Sequence, residues 1–324
     1  MTPRALFRRI LCPTDFSDAS RAALLHAISM ARWCEAEITV VHVSPILPVA
    51  GIEPAAAVSM ASASETTWGV MLDDLSDFAA PARRAGLEVH TALLEGEAVH
   101  EILGLAQGIS ADIIVMGTHG RSGVNRWLLG SVAESLLRRS ACPVVTVSHA
   151  AAGGPARRDD PFGTIVCPVD LRGASRATLE FGLALARDEG ASLTLLHVVE
   201  APDAVTDFNA HFEIPEHRAL LAADARSRLE GAVPAELRAR CRVSEVVTVG
   251  RPDREILRVA EERHADLIVM GARGPNPIDA LFFGSTARRV VRDAPCPVLT
   301  LPLSDAPHAG KAPESKEHEE LSLP

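Results

Sequence analysis

Two stretches of the chain place glycines where an anion would need them. Gly117-Thr118-His119-Gly120 is followed by nine residues and then Gly130-Ser131, and Gly271-Ala272-Arg273-Gly274 is followed by nine residues and then Gly284-Ser285. Each stretch comes directly after an apolar run, and each Gly-Ser pair leads into a helix-like segment. Glycine lets backbone N–H groups approach an anion without interference from a Cβ. A helix N-terminus adds unpaired N–H groups and the positive end of a dipole. The hydroxyl of Ser131 or Ser285 can donate to a phosphate oxygen. Two other apolar runs end in Pro13-Thr14-Asp15 and Pro168-Val169-Asp170. A carboxylate repels phosphate, but as an acceptor it suits an adenine amino group or ribose hydroxyls. No Gly-Lys-Ser/Thr follows the glycines, so the pattern is not a P-loop. A structural reading stands beside the chemical one. Glycines after a strand make turns, and Ser131 with Glu134 three residues on has the form of a capping box.

These residues need elements to hold them. Phe7 to Pro13 is a short apolar run suited to a strand buried on both faces. Ser17 and Asp18 start a helix with Ala22, Ala23, Ala27, Ile28 and Ala31 at helical spacing. Ile38 to Val43 is a second strand. Pro45, Pro48 and Pro54 then open a variable stretch, with a helix expected around Trp68 to Arg84. Leu87 to Leu93, Asp112 to Met116 and Val144 to Val147 read as strands, and Val99 to Gln107 and Val132 to Arg139 as helices. Strands separated by helices imply a parallel sheet with right-handed crossovers, whose ligands bind at the carboxyl strand ends.

The pattern occurs twice. Ile10-Leu11-Cys12-Pro13-Thr14-Asp15 returns as Ile165-Val166-Cys167-Pro168-Val169-Asp170, an offset of 167 − 12 = 155. Ala111-Asp112-Ile113-Ile114-Val115-Met116-Gly117 returns as Ala265-Asp266-Leu267-Ile268-Val269-Met270-Gly271 at an offset of 154. The chain therefore reads as an α/β protein with two tandem copies of a doubly wound, five-stranded domain. The first copy spans 1–149, a Gly/Pro linker 150–162, the second copy 163–303, and a disordered acidic tail 304–324. The 324 residues carry 32 Lys and Arg against 42 Asp and Glu, a formal charge of −10. That balance speaks against nucleic-acid binding, which rests on clustered cations. No apolar run reaches membrane-span length and no signal peptide is seen, so a cytoplasmic location is expected. The six cysteines form no CxxC and are expected to be reduced core thiols. No set of histidines, cysteines and carboxylates has ligand spacing, so no protein metal site is expected.

The Pro-Thr-Asp strand end, the His-Val at 42–43 and 197–198, and the doubled Gly-x2-Gly-x9-Gly-Ser together resemble the universal stress protein family, tandem-domain type. The resemblance runs from about Phe7 to Leu303. It implies a Rossmann-like sheet ordered 3-2-1-4-5, a cytoplasmic place in a stress or dormancy response, and ATP binding by members with the glycine motif. The contacts it implies in the first copy are Pro13, Thr14, Asp15, Val43, Met116, Gly117, Gly120, Gly130, Ser131 and Val132. In the second copy they are Pro168, Val169, Asp170, Val198, Met270, Gly271, Gly274, Gly284, Ser285 and Thr286.

The copies differ at their edges. Gly120 is followed by Arg121, a phosphate partner in type, whereas Gly274 is followed by Pro275, which has no N–H. Thr14 becomes Val169 and loses a hydroxyl. Arg288 and Arg289 stand where the first copy has Glu134 and Ser135, which hints at an anion nearby, although exposed arginines have the same appearance. His42 and His197 read as satisfied core histidines. The leading expectation is a regulatory adenine-nucleotide module taking ATP, with Mg²⁺ as an optional companion, that passes its output to unidentified protein partners. Phosphoryl transfer also needs metal ligands, a cation and a positioned nucleophile, and no second acidic residue, P-loop lysine or base is read as part of the motif. A slow ATPase or phosphotransferase is the enzyme alternative, and an interaction module with vestigial pockets is the other. The apolar last strands, Pro143 to Val147 and Pro297 to Leu301, are expected to pair as an intramolecular pseudo-dimer. Pairing of whole chains into a homodimer stays open.

Overall fold

Residue alternation along the strands feeds two cores at once. In β1 (Arg9–Pro13), Ile10 and Cys12 join one buried cluster and Leu11 joins another on the opposite face. β4 (Ile113–Gly117) splits in the same way, Ile113 and Val115 to the first cluster, Ile114 and Met116 to the second. Such two-sided burial belongs to parallel strands covered by helices on both faces. A computed structural model describes residues 7–46, 54–120, 129–152, 162–171, 176–189, 191–200, 215–233, 238, 241–272 and 283–302.

The remaining strands of the first half are β2 (Glu37–Ser44), β3 (Val89–Glu95) and β5 (Val144–Val147). Those of the second are β6 (Thr164–Pro168), β7 (Ser192–Glu200), β8 (Arg242–Gly250), β9 (Leu267–Gly271) and β10 (Val298–Leu301). They form one ten-stranded sheet in the order β3-β2-β1-β4-β5-β10-β9-β6-β7-β8. Each half thus has the expected 3-2-1-4-5 order. Within a half the assigned pairs are parallel, as in Ile10 opposite Ile38. The halves join antiparallel, Val298 opposite Thr146 and Thr300 opposite Val144. The expected intramolecular pairing of last strands is what the structure contains, reinforced by Thr300 Oγ1 donating to the Val144 carbonyl at 3.0 Å.

Helices α1 (Asp18–Cys34), α2 (Pro54–Arg84), α6 (Arg176–Glu189) and α7 (Pro215–Ala232) cover one face. Helices α3 (Ala98–Gly108), α4 (Ser131–Arg139), α8 (Pro252–Glu262) and α9 (Ser285–Asp293) cover the other. α1 begins where read: Ser17 is its N-cap and accepts the Ser20 N–H at 3.2 Å. α2 begins earlier than read, at Pro54, because proline is a favourable first helical residue and not only a breaker.

A short helix α5 (His149–Ala152) falls partly in the stretch read as linker, and Ala151 is buried within it. Phe162, at the far end of that stretch, is 1% exposed and meets the Trp33 ring edge-on at 4.9 Å. Its counterpart, Phe7 (162 − 155), packs on Phe181 of α6 with ring centroids 6.1 Å apart. Each half therefore sends the phenylalanine ahead of its first strand onto a helix of the other. All six cysteines are free thiols. Burial pushes the Cys12 and Cys167 thiols up to about 12, so they stay protonated and inert. The acidic tail and residues 153–161 of the linker lie outside the described residues.

Candidate functional site

The carboxyl ends of β1 and β4, and of β6 and β9, flank the point in each half where strand order reverses. In α/β sheets this is where a cleft opens. In the first half the loop after β1 is locked by its own hydroxyls. Thr14 Oγ1 accepts the Phe16 N–H at 2.9 Å and donates to Ser20 Oγ at 3.0 Å, so the hydroxyl missing from Val169 is one used within the loop. Phe16 has φ 64°, a left-handed conformation for a bulky residue. Its ring lies 4.5 Å from His42 and 5.8 Å from Phe78.

His42 and His197 do more than fill a core. Nδ1 of His42 is 2.7 Å from the Thr14 carbonyl oxygen, and Nδ1 of His197 is 2.9 Å from that of Val169. A carbonyl only accepts, so Nδ1 carries the proton in both rings. Each histidine thereby ties the second strand of its half to the loop that bears Asp15 or Asp170.

The glycines divide into two kinds. A Cβ on Gly117 would lie 2.9 Å from the Ala19 backbone, so this glycine is required for the approach of α1 to β4. A Cβ on Gly120 would lie 2.6 Å from Asp15 Oδ2, while Oδ1 of the same carboxylate accepts the Ser17 N–H at 3.1 Å. Asp15 thus spans the gap between the first loop and the glycine loop. Gly130 and Gly284 are the N-caps of α4 and α9, and neither helix has a side-chain cap hydrogen bond. The capping-box reading of Ser131 does not hold: Ser131 is the first helical residue, and Glu134 pairs with Arg288 across the halves. The first-turn amides of both helices are left uncapped by side chains, the condition an anion site needs.

In the second half the cleft is a cavity of about 400 Å³, within the size range of small-molecule sites. Pro168, Val169 and Asp170 line one side, with Val198 at the end of β7. Met270 and Gly271 line it from the end of β9, and Gly284, Ser285 and Thr286 from the start of α9. Gly274 and Arg121 lie outside the described residues. In the first half Pro13, Val43, Met116 and Gly117 end their strands, and Ser131 and Val132 open α4. Three charged residues that the sequence did not connect to the site also face the second cavity: Glu200 from β7, and Asp224 and Arg228 from α7. The expectation of no second acidic residue near the site does not hold: Glu200 and Asp224 line the cavity, and Asp279 lies in sequence between Gly274 and Gly284.

Arg288 and Arg289 do not hint at an anion. Arg288 is paired with Glu134, and Arg289 Nη1 donates to Asp253 at 2.9 Å. Away from both clefts, Glu37, Glu88 and His90 gather at the amino ends of β2 and β3, with His90 Nε2 3.5 Å from Glu88.

The model of the Universal stress protein family matches residues 6–148 and 161–302. A universal stress protein of Mycolicibacterium smegmatis is 28% identical over 304 residues, covering 90% of this chain and 96% of the relative. One from Methanocaldococcus jannaschii is 37% identical over 150 residues, 44% of this chain and 82% of the relative. The crystal structure of a universal stress protein from Archaeoglobus fulgidus DSM 4304 superposes with a TM-score of 0.62 at 24% identity, covering 93% of this chain and 99% of that one, a likeness of fold.

Proposed function

The chain belongs to the universal stress protein family, and on that premise we propose that it is an adenine-nucleotide-binding module of a cytoplasmic stress response that holds ATP as a regulatory ligand. The observation that carries this reading is the second-half cavity. It pairs the uncapped amides of α9 and the hydroxyls of Ser285 and Thr286 with the Asp170 carboxylate across about 400 Å³. The helix end suits phosphate oxygens, and Asp170 suits the donors of the nucleoside. In the first half the same roles fall to Asp15, to the amides around Gly120 and Gly130, and to Ser131 and Val132, with Arg121 as a phosphate partner by sequence. The carboxylates of Asp170, Glu200 and Asp224 are hard oxygen donors of the kind Mg²⁺ takes alongside phosphates. When bound with the nucleotide, Mg²⁺ would offset the charge they share with it.

Mass spectrometry of ligand released by denaturing natively purified protein tests the proposal. An adenine nucleotide at one or two per chain is expected. A chain that carries none and shows no thermal shift with ATP refutes it and leaves an interaction module. The carboxylates beside Asp170 favour one second reading, slow hydrolysis. Repeated turnover lost in Asp170→Asn would establish it.

A further inference from the structure

The loop that carries the aspartate is tied down by different means in the two halves. In the first half Thr14 Oγ1 accepts the Phe16 N–H at 2.9 Å, and the Phe16 ring meets Phe78 of α2 edge-on with centroids 5.8 Å apart. Neither tie is open to the second half. At the offset of 155, Thr14 becomes Val169 and Phe16 becomes Leu171, so hydroxyl and ring are both lost. The helices differ to match. Leu229 of α7 and Leu75 of α2 are both 0% exposed and differ by 154, the offset of the glycine motifs. On that register Phe78 becomes Ala232 (232 − 154 = 78), and the exposed acid Asp74 becomes Arg228 (228 − 154 = 74).

Arg228 supplies a tie of another kind, since its Nη2 donates to the Leu171 carbonyl at 2.6 Å. We propose that Arg228 is a positioning residue of the second cleft: by holding Leu171 to α7 it fixes the loop from which Asp170 meets the nucleoside of the ligand. This inference rests on the nucleotide reading above.

The surroundings of the guanidinium fit that role. Asp224, one turn earlier on α7, lies 3.7 Å from Nη1, longer than a charge-assisted hydrogen bond, and leaves Nη2 to Leu171. On the other side of the loop, His197 of β7 donates from Nδ1 to the Val169 carbonyl at 2.9 Å. Asp170 therefore sits between two anchored carbonyls, one tied to β7 and one to α7. A carboxylate whose backbone is held on both sides has less freedom to lose when a ligand binds.

The test uses the full chain photolabelled with 8-azido-ATP and Mg²⁺, with peptides of the two halves quantified separately after digestion. Arg228→Met is expected to weaken second-half labelling about 2- to 10-fold, the span of one ordinary hydrogen bond. Adenosine, which has no phosphate, is expected to compete less well for the second half by the same factor, because Asp170 serves the nucleoside. Arg228→Lys keeps a donor for the carbonyl and retains most of the affinity. Val169→Thr restores the hydroxyl that ties the first-half loop, so in that background Arg228→Met is expected to cost less than about twofold. First-half labelling serves as the internal control for folding and stays unchanged. Unchanged second-half labelling in Arg228→Met overturns the proposal. A loss confined to ATP, with adenosine unaffected, overturns it by making Arg228 a phosphate contact. An equal loss with and without Val169→Thr overturns it by showing that the loop tie is not what Arg228 supplies. Wild type labelled in the first half alone also overturns it. Wild type labelled in neither half refutes the nucleotide reading itself.

Discussion

Replacing Phe162 by alanine removes a ring that lies ahead of β6 in sequence yet packs on α1 of the other half. The ring is 1% exposed and stands at 81° to Trp33 with centroids 4.9 Å apart. Truncating a buried phenylalanine costs about 3–5 kcal/mol, including about 0.5–1.5 kcal/mol for the aromatic pair. For a unit of this size each kcal/mol moves the midpoint by about 2–4 °C, so a fall of roughly 10 °C is expected. Because Phe162 bridges the halves, the wild-type chain should melt in one calorimetric transition, and Phe162→Ala should broaden or split it. Trp33→Phe is the control. It keeps a ring against Phe162 and deletes an indole N–H that is buried without a hydrogen-bond partner, so its cost should stay below about 1.5 kcal/mol. A loss under about 1 kcal/mol in Phe162→Ala, or two wild-type transitions, would refute the view that the halves are locked together by exchanged rings.

Gly117→Ala drives a Cβ to within 2.9 Å of the Ala19 backbone, and overpacking of this kind should destabilise by about 1–3 kcal/mol in urea melts. Ser131→Ala should leave the melting midpoint within about 2 °C, since Gly130 is the cap, but should weaken nucleotide binding in the first half by calorimetry. The opposite pattern would restore the capping role. Burial lowers the His26 pKa from 6.5 to about 4. The unfolded chain then takes up the proton first, so stability present above about pH 6.5 is lost as pH falls towards 4. The loss is about 2 kcal/mol by pH 5, and His26→Phe, which copies Phe181 of the other half, should abolish it in urea midpoints at pH 7 and pH 5.

The strand and helix order was legible because alternation and helical spacing are local, and because two copies at offsets of 155 and 154 repeat the same signals. The seam was legible for a similar reason: exposed apolar last strands need a partner. Contacts between residues far apart in the chain were not legible. Glu134 meets Arg288 across 154 residues, so the charge of Arg288 looks unanswered until the halves are brought together. Glu200, Asp224 and Arg228 reach the cavity from β7 and α7, whose spacing relative to the glycine motif carries no periodic signal. Gly117 was read as opening space for an anion, yet the neighbour that demands it is α1. Phe162 sat in a Gly/Pro-rich stretch, where composition outweighed one aromatic residue.

The antiparallel seam between β5 and β10 has a geometric consequence for any partner. Strands within a half run the same way, and the two halves run against each other. The carboxyl ends of β1 and β4 therefore lie on one rim of the sheet and those of β6 and β9 on the opposite rim. A globular partner docked on one rim would meet the mouth of one half only. On the nucleotide reading proposed above, a chain loaded on one side only would present two distinguishable poles.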